Sequence, residues 1–275
     1  MRLTLKNPIR FDGVGLHSGE RTSVQLLPAP SGTGYLVRFG GESFQISQAQ
    51  RSGDGRGTVL SFGSHRLMTV EHMLASLRGL GVDDVIICPD GIEAPLLDGS
   101  GLEYCQRLAQ NGFAEQPGDR DFFCVAAPVA VQSPDGRKVT AALPDDAFRI
   151  TYTIDYSGTP IGTQTATVTV APETFIGELA QCRTFCLEAE VEAMRAAGLG
   201  LGGTVDTALV VGSEGPLGGN ELRCSDEYVR HKMFDFVGDL TLIGRPLKGH
   251  FIGIRAGHAM HLKLVDRLGR CAEKC

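Results

Sequence analysis

The stretch "TVEHMLASLRGLGVDDVIICPDG", residues 69–91, changes its period twice. Met73, Leu74, Leu77 and Leu80 recur at helical spacing, Thr69 is placed to cap the helix, and Gly79 and Gly81 end it. "DDVIICPDG" then returns to a short apolar run bounded by turn residues, as a strand does.

Upstream, "RLTLKNPIRFDGVGL" and "RTSVQLLPA" alternate apolar and polar residues, and "GYLVRF" and "ESFQI" read as further strands. Downstream, "GLEYCQRLAQNGF" is a second helix. The pattern then restarts. "FFCVAAPVAVQSPDGRKVTAALP" predicts a hairpin turning at Pro134-Asp135-Gly136, and "FRITYTIDY" and "TQTATVTV" are strands. "PETFIGELAQCRTF" starts as a helix, and "LEAEVEAMRAAGLG" is a short amphipathic one with Leu187, Val191 and Met194 on one side. "HFIGIRAGHAMHLKLVDRL" closes as a strand running into a helix. Strands followed by helices, twice, predict two α+β domains, with a boundary near "EQPGDRD", residues 115–121.

The 275 residues are 42% hydrophobic and 21% charged, the balance of a soluble globular chain. A net charge of -6 argues against nucleic acid as the main partner, since phosphates demand a basic footprint. The N-terminal "MRLTLKNPIRFDGVG" has no apolar core or cleavage site of a signal peptide, and no apolar run is long enough to cross a bilayer. A cytoplasmic location is therefore expected, with room for a lipid substrate or a transient membrane-surface contact. The eight cysteines include C-x3-C pairs at 182/186 and 271/275 but no CxxC, so free thiols are expected rather than disulfides or a cysteine zinc site.

"YVRHKMFDFVGDL", residues 228–240, carries the chemistry. Ser225 is placed to cap this helix, and Val229, Met233, Phe236, Val237 and Leu240 form one face. His231, Asp235 and Asp239 share roughly the opposite face. Taken alone, that face is simply the solvent side. Its other meaning is metal: a His and a carboxylate at i and i+4 reach one ion, and a catalytic zinc takes about three protein ligands plus water. A third ligand must come from elsewhere. His72 lies at the start of the helix after Thr69, where the dipole disfavours imidazolium and keeps the ring able to ligate, and Glu71 beside it stands where a general base belongs. His258, between a strand and a helix, can donate a proton into a cleft, with Asp239 to orient and charge it. Each of these also has an ordinary structural reading.

Together, "GVGLHSG" (13–19), "TVEHMLASLRGLGVDD" (69–84), "PLLDGSG" (95–101), "RTF" (183–185), "GLGLGGTVDTALVV" (198–211), "VRHKMFDFVGDL" (229–240) and "AGHAMHLKL" (256–264) resemble the zinc-dependent UDP-3-O-acyl-N-acetylglucosamine deacetylases of lipid A biosynthesis. The resemblance spans nearly the whole chain. It implies a hydrolase of an acylated UDP-N-acetylglucosamine that releases acetate and a free amine, the committed step of that pathway. It implies two similar two-layer α/β-sandwich domains packed against each other, with the active site between them: residues 1–117, and residues 118–275 with an acyl-passage insert near 186–212. By the same resemblance, His72, His231 and Asp235 hold Zn2+, Glu71 is the general base, and His258 with Asp239 is the second acid/base pair. Thr184 helps to stabilise the oxyanion, and Phe185 and Lys232 line the sugar and nucleotide region. The chain departs from the family pattern in a compact 40–68 segment, a short C-terminus, and a histidine at 261.

Two rivals stand beside this reading. One is a catalytically inactive sugar-nucleotide or acyl-chain binding protein on the same scaffold. The other is a nucleotide-dependent kinase suggested by glycine-rich runs at 198–203 and 212–219, which lack a GxxxxGK[ST] or kinase signature.

Overall fold

The first half starts as strands β1 (Arg2–Leu5), β2 (Ile9–Val14), β3 (Arg21–Pro28), β4 (Tyr35–Phe39) and β5 (Glu42–Gln45). Three short strands follow, β6 (Gln50–Ser52), β7 (Val59–Phe62) and β8 (His65–Met68), then helix α1 (Glu71–Gly79), β9 (Val85–Asp90), α2 (Leu102–Asn111) and β10 (Phe113–Gln116). The second half repeats the plan. It runs β11 (Phe123–Cys124), β12 (Val129–Gln132), β13 (Val139–Leu143), β14 (Phe148–Tyr156), β15 (Gly162–Thr169) and the single turn α3 (Pro172–Thr174). An excursion of β16 (Phe185–Leu187), α4 (Glu188–Ala196) and β17 (Leu209–Val211) precedes α5 (Glu227–Leu240), β18 (Leu247–Ile254) and α6 (His258–Gly269). This computed structural model describes residues 1–53 and 56–270; the C-x3-C pair at 271/275 lies outside them.

The two sheets have one topology. The first is ordered β2-β3-β9-β4-β5 and the second β12-β13-β18-β14-β15, with β11 also on β18. In each, the late strand enters between the two hairpins, antiparallel to one neighbour and parallel to the other: β9 to β3 and β4, β18 to β13 and β14. A parallel neighbour requires a crossover, and α1 and α5 supply it. The fold is thus α+β with two similar units, as expected from the restarting pattern. Inward residues alternate as the pleat demands; β14 runs buried-intermediate from Phe148 to Ile154. Helices α1 and α5 pack on each other, and α5 also packs on α6, β14 and β15. One hydrophobic cluster joins both halves.

The α1–α5 crossing is close. Gly238 faces the start of α1, and a Cβ there would lie 2.8 Å from the Glu71 carbonyl carbon and Cα. Every residue of α1 is buried, so the apolar stripe read from sequence is only one side of a fully enclosed helix. The same holds for α5, where only Arg230 and Lys232 are partly exposed.

Both predicted caps are corrected. Thr69 has φ +52 and donates its hydroxyl to Glu93 (2.6 Å), so α1 starts after Val70 with no side-chain cap. Ser225 is exposed, and α5 starts after Asp226, whose carboxylate instead pairs with Arg230 (2.7 Å). The compact 40–68 segment holds the β6-β7-β8 meander. Cys88, Cys105, Cys182, Cys186 and Cys224 are free thiols as expected; Cys124 is the exception, being disulfide-bonded.

Candidate metal centre and catalytic pocket

The crossing of α1 and α5 places the two chemical motifs against each other. His231 Nε2 lies 3.3 Å and His72 Nε2 3.5 Å from the same Asp235 oxygen, Oδ1. All three residues are buried, and one donor atom from each falls within 4.8 Å of the others. The face of α5 that could have met solvent is covered by α1, which overturns the solvent-side reading.

The donor set fits a divalent cation. His231 Nδ1–H donates to the Cys182 carbonyl (3.0 Å), which fixes the tautomer and turns the Nε2 lone pair inward. That Nε2 and Asp235 Oδ1 are buried without a protein hydrogen-bond partner. Such atoms are costly unless something else satisfies them. Burial holds the His231 ring down to about 3, so it is neutral and able to ligate. Burial opposes ionisation of Asp235, but His231, Lys232 and His72 outweigh it and hold the carboxyl well below its usual range. Lys232 Nζ donates to Asp235 Oδ2 (2.8 Å) and sits 5.6 Å from the centre of the Phe185 ring.

A second buried cluster adjoins the first. Asp239 Oδ2 accepts from His258 Nδ1 (2.8 Å) and from His261 Nδ1 (2.7 Å). Burial raises the Asp239 carboxyl, yet these two histidines bring it down to about 2. Burial would lower His258, but Asp239 and Glu71 overcome it and raise the ring to about 9. His261, the unexpected histidine, is lowered by burial and bonds Tyr152 Oη (2.8 Å). His258 Nε2 points toward Glu71 Oε1 and Asp235 Oδ2, 3.7 Å from each. Burial pushes the Glu71 carboxyl up; its Oε2 accepts from Thr58 N (3.0 Å).

Glu71, His72, Asp235 and His258 line a cavity of about 480 Å3. Its wall includes Thr184, Phe185 and Lys232, so all the sequence-derived positions except His231 and Asp239, which stand behind it, line one cavity. Cys186, Glu190 and Met194 bring the excursion onto the same wall. Arg56 spans the mouth to Glu190 through two hydrogen bonds (2.8 and 3.1 Å).

Three supports escaped the sequence reading. Thr58 lies on the Asp239–His258 pair through its hydroxyl. Glu93 accepts from His17 N, Ser18 N and the Thr69 hydroxyl; burial raises its carboxyl, but these bonds outweigh burial and leave it lowered. Arg183 is bound by Glu227 through its backbone and guanidinium, both at 2.9 Å. The "GVGLHSG" and "RTF" motifs contained His17 and Arg183 but gave no local sign of their acidic partners.

Two histidines and an aspartate beside a buried carboxylate and a charged histidine, in a deep cleft, define the class of metal-dependent hydrolases. The chain belongs to the UDP-3-O-acyl N-acetylglycosamine deacetylase family, whose model matches residues 2–270. A protein of Solibacter usitatus (strain Ellin6076) named UDP-3-O-acyl-N-acetylglucosamine deacetylase is 40% identical over 268 residues, 96% of this chain and 90% of the relative. Proteins of the same name from Oleidesulfovibrio alaskensis (94% of this chain, 85% of the relative) and Pseudomonas entomophila (96% and 89%) are 38% and 36% identical.

Proposed function

We propose that this chain is a zinc-dependent amidohydrolase that removes the acetyl group of UDP-3-O-acyl-N-acetylglucosamine, the committed step of lipid A biosynthesis. The observation that carries the reading is the meeting of His72 and Asp235 with Glu71 and His258 on one cavity lining, with His231 directly behind it on the same Asp235 oxygen. His72, His231 and Asp235 would hold the zinc. When bound, zinc supplies Lewis acidity that polarises the amide carbonyl and acidifies the attacking water.

Glu71 accepts the proton of that water as its oxygen attacks the acetyl carbon. Thr184 donates its hydroxyl to the developing oxyanion, and the His258 imidazolium adds positive charge nearby. His258 then protonates the amine nitrogen as the C–N bond breaks, leaving acetate and the free amine. Asp239 keeps His258 oriented and charged for that transfer. Lys232 and Phe185 face the sugar and nucleotide portion, and the 186–212 insert lines the acyl chain. In this reading residues 1–117 and 118–275 are the two domains, the enzyme works in the cytoplasm, and its contact with a membrane surface is transient. No helix of the described residues is long and apolar enough to cross a membrane.

The test is hydrolysis of UDP-3-O-acyl-N-acetylglucosamine, followed by mass spectrometry for loss of acetyl. Activity should vanish on chelation and return with zinc. Tight substrate binding without turnover in zinc-loaded protein would instead establish the binding-protein alternative.

A further inference from the structure

Two cysteines flank the 185–211 excursion, Cys182 just before it and Cys224 just before α5. Cys182 is fully buried and Cys224 partly exposed, and their sulfurs lie 3.9 Å apart. Their segments are already tied together. Glu227 accepts from Arg183 N (2.9 Å) and from Arg223 N (2.7 Å), the residues adjoining each cysteine. Arg183 also reaches the Glu221 carbonyl (2.7 Å), and Arg223 the Gln181 carbonyl (2.9 Å). A disulfide needs about 2.05 Å between sulfurs, so the pair has roughly 2 Å to close, within reach of side-chain rotation and a small backbone shift.

That shift would fall on a sensitive segment, the turn that leads into β16. The Cys182 carbonyl accepts the His231 Nδ1 hydrogen bond, and Thr184 lies two residues further on. We propose that Cys182 and Cys224 are a reversible dithiol–disulfide couple that senses peroxide, staples the root of the excursion, and lowers turnover by displacing His231 and Thr184. Cys224, the more accessible, attacks hydrogen peroxide through its thiolate fraction, which burial keeps small and the contact with Cys182 favours. An S–O bond forms, the O–O bond breaks, and the released hydroxide leaves as water with the thiol proton. Cys182 sulfur then attacks Cys224 sulfur; the S–S bond forms, the S–O bond breaks, and a second water carries off the remaining proton. The two thiols lose two electrons and two protons, and the peroxide takes up both. A thiol or phosphine reductant reverses the bond.

The turnover arm rests on the deacetylase reading; the other two arms do not. Zinc-loaded full-length protein is treated with hydrogen peroxide, quenched with catalase, blocked with N-ethylmaleimide and mapped without reduction. The expected result is a peptide pair linked through Cys182 and Cys224, with turnover down about 10–100-fold, the range seen when a ligand's outer partner is disturbed. Zinc retention under a competing chelator should weaken alongside. A phosphine with added zinc should restore all three. Cys224→Ser should match the untreated rate and keep its rate and zinc retention through peroxide. Absence of the 182–224 link after peroxide overturns the proposal. So does a link that leaves zinc retention unchanged, or equal losses in Cys224→Ser. A chain with no deacetylase activity would sink the functional reading alone, since the linked peptide and the zinc measurement still decide the couple.

Discussion

Gly238→Ala tests whether the closeness of α1 and α5 sets the geometry of the centre. The new Cβ would lie 2.8 Å from the Glu71 carbonyl carbon and Cα. Ordinary van der Waals contact begins at 3.4 Å, so the helices must part by about 0.6 Å or more, since backbone cannot rotate away as a side chain can. The parting acts where Glu71 and His72 leave α1 to meet His231 and Asp235. Misplacement by about 1 Å can cost about 10²-fold in rate, so kcat/KM should fall between tenfold and a hundredfold, with zinc held less tightly. Overpacking should destabilise the fold by about 1–3 kcal/mol, a drop of several degrees in Tm. The measurements are steady-state kinetics, zinc content after dialysis against a weak chelator, and thermal unfolding. Activity within twofold of the parent with full zinc and an unchanged Tm would refute the argument that this crossing leaves no room.

Glu71→Ala should retain zinc and lose about 10²–10⁴ in turnover; near-parent rates with zinc bound would move the base elsewhere. Asp235→Ala should lose metal affinity and activity together, checked by metal analysis beside the assay, and chelation should abolish parent activity until zinc is restored. The pH profile of kcat/KM should be a bell. Its rising limb follows ionisation of Glu71, shifted up by burial, and its falling limb follows loss of the His258 proton, held to about 9 chiefly against burial by Asp239. Removing that charge destabilises the imidazolium, so Asp239→Asn should move the falling limb to lower pH; a limb that stays put belongs to another group. Glu227→Ala strands the buried Arg183 guanidinium, which should cost about 3–5 kcal/mol of stability; a change under 1 kcal/mol by denaturant unfolding would show that water reaches the site.

The stripe of His231, Asp235 and Asp239 was legible because helical spacing is local. Its burial was not, because what covers it is α1, more than a hundred residues away in sequence. Local reasoning failed at both helix starts for a related reason. Thr69 has the right side chain for a cap, but its backbone is left-handed and its hydroxyl donates to Glu93 while accepting from no helix N–H. The β6-β7-β8 meander was missed because its strands are only three or four residues long, too short for alternation to rise above the glycines around them. The repeat was visible as order of elements and not as residue identity, since pairing of strands constrains pattern and leaves most side chains free.

The centre draws His72 from the first half and His231 with Asp235 from the second. An ion bound by all three therefore rewards only the docked arrangement, and linkage makes ion affinity and cohesion of the halves two views of one free energy. At an ion concentration a hundredfold above its dissociation constant, that is about 2.7 kcal/mol of added cohesion. Scarcity of the ion would then loosen the seam between the halves as well as silence the chemistry, and a protease would find that seam easier to open than when the ion is in place.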